Sequence, residues 1–200
     1  MHITTHVLIA NTLYKEITSQ MEIQLDYLHF VYGNIKPDIN PGDMDYPHYL
    51  EDSLEDVISY CEHITQTPMS IKAMSVALGA VSHFICDYYC LYHTEAYKRK
   101  SIVGHTLYEH FLELHFIKKC IRRELIINDG PFCESIEDTI SKNCAAYADE
   151  KQSLDKDIHY AVNTTLCVLK RVIELSDIQK RQVSDMEIAY DFLEVGGSSL

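Results

Sequence analysis

Tryptophan is absent from this chain of 200 residues, and glycine (7) and proline (5) are scarce. A sheet-rich fold needs turn residues and alternating β-branched runs, and without them the chain cannot be all-β or α/β. Long apolar runs are missing too. The run "VLIA" at Val7–Ala10 follows no basic leader and is too short for a signal peptide, and no stretch downstream is long enough to span a bilayer. A soluble, unexported, cytoplasmic protein is expected. Positive charge is also in short supply: 17 Lys and Arg against 30 Asp and Glu leave a net charge of −13. Such a surface repels polyphosphate chains and anionic lipid, which argues against a nucleic-acid-coating protein or a stable membrane anchor. The seven cysteines are odd in number and spread along the chain, which fits core packing in a reducing compartment and not a disulfide framework.

What the chain has is helical periodicity. Its length suits one domain over residues 1–200. Apolar residues recur at three- and four-residue steps, so the fold class is all-α, a multi-helix domain. Helices are expected near 5–20, 22–31, 47–65, 69–93, 103–128, 134–150 and 154–178. The pattern is clearest in Leu107, Phe111, Leu114, Ile117, Ile121 and Leu125, one stripe along a single helix. Between the second and third helices, "GNIKPDINPGDMDYP" holds three prolines and two glycines and reads as a long, turn-rich loop. The tail after Asp177 is less amphipathic and is expected to be loosely packed. No internal repeat or low-complexity segment occurs.

Within "SHFICDYYCLYHTEAYKRKSIVGHTLYEHF", His83 and Asp87 stand four residues apart, as do His105 and Glu109, so each pair shares one face of a helix. His93 falls between them. Imidazoles and carboxylates on adjacent helical turns are good zinc ligands, although any one such pair is more often a surface ion pair. Cys90 is seven residues after His83, on the same helical face, where a thiol either packs the core or approaches a metal.

The segment "ALGAVSHFICDYYCLYHTEAY…GHTLYEHF" resembles the metal-binding helices of the bacterial zinc-dependent phospholipase C family, that of the alpha-toxin catalytic domain. "THVLIA" resembles the family's first-helix histidine motif, and "GNIKPDI" the loop that supplies its buried aspartate. Together the likeness covers about residues 5 to 115. It implies an all-α fold holding two or three Zn²⁺ ions. One site would use His93, His105 and Glu109, a second Asp38, His48, His83 and Asp87, and Asp87 would bridge to a third ion also bound by His6. His63 is a distant rival of His48.

Exported relatives complete the third site with an N-terminal tryptophan, which this chain lacks; His2, four residues before His6, or the Met1 amine could take its place. Relatives also carry a proline before the histidine that matches His93, whereas "DYYCLYH" has none, so the helix is expected to run on. The implied activity is phospholipase C-like hydrolysis of a phosphodiester by metal-activated water, with Asp38 as ligand and general base. The expected substrate is a small phosphoester or a phospholipid headgroup, for which Tyr88, Tyr89 and Tyr92 are candidate cation–π walls. Two alternatives stay open. One is a single-strand nuclease or nucleotidase of the same metal superfamily, using the basic "YKRK" at Tyr97–Lys100; the other is a non-catalytic, zinc-stabilised interaction protein.

Overall fold

The computed structural model describes residues 1–40, 42, 45–94, 97, 101–128 and 135–196, the last twenty of these as helix backbone only. Seven α-helices and no strand occur among these residues: α1 (Ile3–Gln20), α2 (Tyr27–Ile39), α3 (Leu50–Gln66), α4 (Ile71–Tyr88), α5 (Ile102–Arg122), α6 (Ile136–Asp149) and α7 (Leu154–Gly196). A short 3₁₀ turn, Leu91–His93, joins α4 to the segment before α5. The expected all-α class is therefore what the chain adopts. None of the helices is long and apolar enough to cross a membrane among the described residues.

Helix α4 is the centre of the fold. From Ala77 to Tyr88 every residue is buried, as expected of a helix apolar on all sides and packed on all sides. Ser70 caps its N-terminus by accepting from the Ala73 N–H. Helices α1, α2, α3 and α7 pack around it. The closest approach is to α2, where a Cβ on Gly33 would come 2.2 Å from the Val76 carbonyl oxygen and one on Gly79 would come 2.3 Å from that of Phe30. Backbone meets backbone at this crossing, which only glycine permits.

That crossing corrects the expectation of a loop over "GNIKPDI". Helix α2 starts later than expected and runs through Asn34 and Pro37 to Ile39. Gly33 serves close packing and not a turn. Pro37 lies in the last turn, where the N–H it lacks costs one hydrogen bond and the α4 contact holds the rest in place. Within the remainder of the expected loop, residues 41, 43 and 44 lie outside the described residues.

Helix α4 also departs from the expectation of one helix over 69–93. It stops at Tyr88 with no proline to break it. Cys90 is extended (φ −98°, ψ 125°), and the next amide, Leu91 N–H, donates at 3.1 Å to the Asp157 carboxylate of α7. A tertiary acceptor ends the helix by offering the backbone another partner.

The apolar stripe on α5 does mark a helix, but it faces solvent: Leu107, Phe111, Leu114 and Ile121 are all exposed, and Leu112 and Phe116 supply the core face. Helix α5 ends at Arg122, with Arg123 in the left-handed region (φ 57°), short of the expected residue 128. In α7 the helix backbone continues to Gly196, well beyond residue 178, and the packing of side chains 177–196 lies outside the described residues.

The α2–α4 crossing yields a test. Gly79→Ala forces a methyl group against two backbone atoms of α2 and should cost about 1–3 kcal/mol or more despite alanine's better helix propensity. Urea denaturation would measure it, and a variant as stable as the parent would show that the two helices are not in backbone contact.

Candidate metal centre

Asp87 is the last carboxylate of α4, fully buried, and five elements converge on it. From α1, His6 brings Nε2 to 3.3 Å of Asp87 Oδ1. Ahead of α3, His48 places Nδ1 2.8 Å from Asp87 Oδ2 and 3.3 Å from His83 Nε2. One turn back on α4, His83 Nε2 is 3.6 Å from Oδ2. From the 3₁₀ turn, His93 Nδ1 is 3.4 Å from the same oxygen. The Met1 amine forms a short ion pair with Asp87 Oδ1 and lies 3.3 Å from both Glu109 Oε1 and His93 Nε2.

The periphery is built from α2 and α5. Asp38, on the last turn of α2, stands 3.7 Å from His83 Nε2 and 3.8 Å from His48 Nδ1. Its side chain is 21% exposed, so it is not the buried aspartate that the motif implied, because the helix end carries it to the rim. On α5, Glu109 Oε1 lies 2.9 Å from His105 Nε2 and 3.2 Å from His93 Nε2. Tyr92 stacks on the His105 ring, centroids 5.2 Å apart.

Backbone carbonyls set the imidazole orientations. His83 Nδ1–H donates to Asn34 O at 2.8 Å and His93 Nδ1–H to His48 O at 3.2 Å, which leaves each Nε2 lone pair facing the cluster. The "GNIKPDI" segment thus contributes twice, through Asp38 and through the Asn34 carbonyl that aims His83.

Charge states follow from these surroundings. Burial lowers the pKa of His6, against the pull of Asp87, and lowers that of His83 well below the usual histidine range, reinforced by His6 beside it. Burial opposes ionisation of Asp87, yet His93, the Met1 amine, His6 and the His48 hydrogen bond hold its carboxyl well below the usual range. Glu109 is likewise brought down to about 2, burial being outweighed by His93 and the Met1 amine. Burial works against the Met1 ammonium, but Asp87 and Glu109 keep it at about 11. His48 is raised, because its bond to Asp87 outweighs its partial burial.

These residues fit a metal cluster. Both ring nitrogens of His6 are buried with no hydrogen-bond partner, a cost that a core histidine would not carry without something to bind. Neutral His6 and His83 beside ionised Asp87 and Glu109 are in the protonation states that divalent cations require, whereas His48 and the Met1 ammonium would give up protons on binding. Four overlapping groups bring one donor atom per residue within 4.8 Å of one another: His6, His83, Asp87; Asp38, His48, His83; His48, Asp87, His93; and Cys90, His93, Glu109. All eight residues expected as ligands, His6, Asp38, His48, His83, Asp87, His93, His105 and Glu109, lie in this one region. His48 is at the centre, whereas its rival His63 pairs with Thr67 on an exposed face.

His2 goes elsewhere. It is the extended N-cap of α1, its ring meeting Thr4 and Glu113, and this backbone turn sends the Met1 amine inward instead. Of the proposed cation–π walls, Tyr89 is wholly in the core with its hydroxyl on Ile140 O, and Tyr88 is buried against Ser53.

Sequence reasoning missed Asp157. Fully buried, it accepts from Tyr108 Oη (2.6 Å), Tyr147 Oη (2.8 Å), Gln152 Nε2 (2.7 Å) and Leu91 N–H. It thereby fixes the residue before Glu109 and the turn that carries His93. In the sequence it looks like any acid in the first turn of a helix.

The sequence pattern described as "Zinc dependent phospholipase C" matches residues 5–171. This chain belongs to the zinc-dependent phospholipase C family. No curated protein and no solved structure was found to match it. The family match extends well past residue 115, into α6 and α7, and so includes the helices that carry Tyr147 and Asp157.

For a zinc-dependent fold of this kind, removing the cations leaves the buried Asp87 and the half-buried Glu109 with fewer opposing charges. Chelation should lower the melting temperature, by the equivalent of about 4 kcal/mol where zinc had been a thousandfold above its dissociation constant. Circular dichroism melts with and without chelator would measure it; coincident curves would rule out a buried cluster.

Proposed function

We propose that this member of the family is a zinc-dependent phosphoesterase that hydrolyses a phosphodiester in the manner of a phospholipase C. The observation that carries this reading is the continuous overlap of four donor groups, linked through His83, His48 and His93 around Asp87, with Asp38 partly open to solvent at one end. A staple for a helical domain needs one closed site of four ligands, and a shared cluster with an accessible carboxylate suits chemistry better.

His6, Asp87, Asp38, His48, His83, His93, His105 and Glu109 would hold two or three Zn²⁺, the Met1 amine joining them only on losing the proton that Asp87 and Glu109 stabilise. Bound zinc supplies a water activated at neutral pH and positive charge against the phosphoryl oxygens. The residues do the rest. Asp38, accessible and within 4 Å of two histidines, accepts the proton of the attacking water at a carboxylate oxygen. The carbonyls of Asn34 and His48 hold His83 and His93 in one orientation, so little reorganises during the reaction.

Next to His93 a cavity of about 420 Å³ is walled by Leu50, Tyr88, Leu91 and Tyr147, with Lys156 and Gln152 on its polar side. It would receive the organic group of the ester. Lys156 donates to the carbonyls of Tyr147 and Glu150 and stands 4.0 Å over the Tyr147 ring, so this wall is rigid. For the nuclease alternative, Lys98, Arg99 and Lys100 of the basic run lie outside the described residues, and the net charge of −13 favours a small substrate over a polynucleotide.

The test uses zinc-loaded protein against bis(p-nitrophenyl) phosphate, a short-chain phosphatidylcholine and a single-stranded oligonucleotide. Asp38→Asn keeps an oxygen at the rim but removes the base, so kcat should fall by about 10²- to 10⁴-fold with the melting temperature little changed. Turnover of none of the three substrates, with zinc bound, would favour the zinc-stabilised interaction protein.

A further inference from the structure

Cys90 is not among the ligands that the family resemblance implies, yet it is one of three donors, with His93 and Glu109, whose ligand atoms lie within 4.8 Å of one another. Local geometry explains its aim. Cys90 caps the 3₁₀ turn that ends at His93, its carbonyl accepting from the His93 N–H at 2.8 Å. Side chains three residues apart on a 3₁₀ turn eclipse each other, so thiol and imidazole leave the turn on the same side.

Its surroundings differ from those of Cys86 one turn earlier. Among the described residues no hydrogen bond reaches Cys90 Sγ, whereas Cys86 Sγ is engaged by Thr165 Oγ1 (3.3 Å) and Ala161 O (3.7 Å). Across the same cluster, His6 presents two buried, unpartnered nitrogens, and the Met1 amine sits between Asp87 and Glu109. Cys90 is fully buried among groups of metal-ligating type. Burial, with Asp157, Asp87 and Glu109 against the Met1 amine, keeps this thiol protonated until a cation offsets those charges.

We infer that Cys90 is a direct zinc ligand, supplying a thiolate to the ion held by His93 and Glu109. This rests on the metal-centre reading above. On binding, the Cys90 S–H bond breaks, a sulfur–zinc bond forms, and the proton passes to solvent, with no change of oxidation state. With His105 Nε2 beside Glu109 at 2.9 Å, a thiolate would bring the donors to that ion to four, closing its coordination and weakening its Lewis acidity. The open position would then lie at the Asp38, His48 and His83 end.

The test is zinc K-edge X-ray absorption on the full chain carrying Cys120→Ser, which removes the exposed thiol, with zinc content measured on the same sample. The expected result is a sulfur shell at about 2.3 Å, which Cys90→Ala abolishes and Cys86→Ala leaves in place. The shell in the parent protein is informative even if Cys90→Ala fails to fold. Bound zinc with only nitrogen and oxygen neighbours, or a sulfur shell that survives Cys90→Ala, overturns the assignment and leaves the phosphoesterase reading intact. A chain that binds no zinc overturns both.

Discussion

A single fully buried carboxylate, Asp87, sets the terms for the rest of the structure. An ionised group in a helical core is costly unless opposite charge and hydrogen bonds surround it. Here His6, His48, His83, His93 and the Met1 amine come from four other stretches of chain and from the preceding turn of α4 to do so. The α1 entry, the segment before α3 and the turn after α4 are all held where they can reach this oxygen pair. Even so, neither ring nitrogen of His6 makes a hydrogen bond, Nε2 only approaching Asp87 at 3.3 Å. That residue is where a cation could complete what the protein groups leave unmet.

Two devices bring the elements close enough. The glycine crossing of α2 and α4 sets the Asn34 carbonyl against His83 and hangs Asp38 over the rim. Asp157 acts from the opposite side: it ends α4 by capturing Leu91 N–H and binds Tyr108 beside Glu109, so the two ligand-bearing segments share one anchor. Neither device touches a substrate. Both determine whether the donor atoms point at one another.

Much of this was legible beforehand. The spacing of His83 from Asp87 and of His105 from Glu109 places each pair on one helical face whatever surrounds them, because the helix repeat does that alone. The helical class and most element positions follow from the same periodicity. Where reading failed, one residue type had two uses. Gly33 and Pro37 look like breakers, but one is a contact point and the other sits in a last turn. The α5 stripe from Leu107 to Ile121 has the right period and faces solvent, since periodicity tells which residues share a face and not what covers it.

The sequence by itself determined the helices, the donor inventory and the family, all properties that depend on spacing along the chain. Only the tertiary structure decided that Met1 and not His2 turns inward, that α4 ends at Tyr88, and that Cys90 joins His93 and Glu109. Each of those depends on a partner far away in sequence. The acceptor that ends α4 is 66 residues downstream of the amide it captures, and the carboxylate that draws in the amine is 86 residues from it. Local physics fixes which side chains share a face, and long-range burial of charge fixes which faces meet.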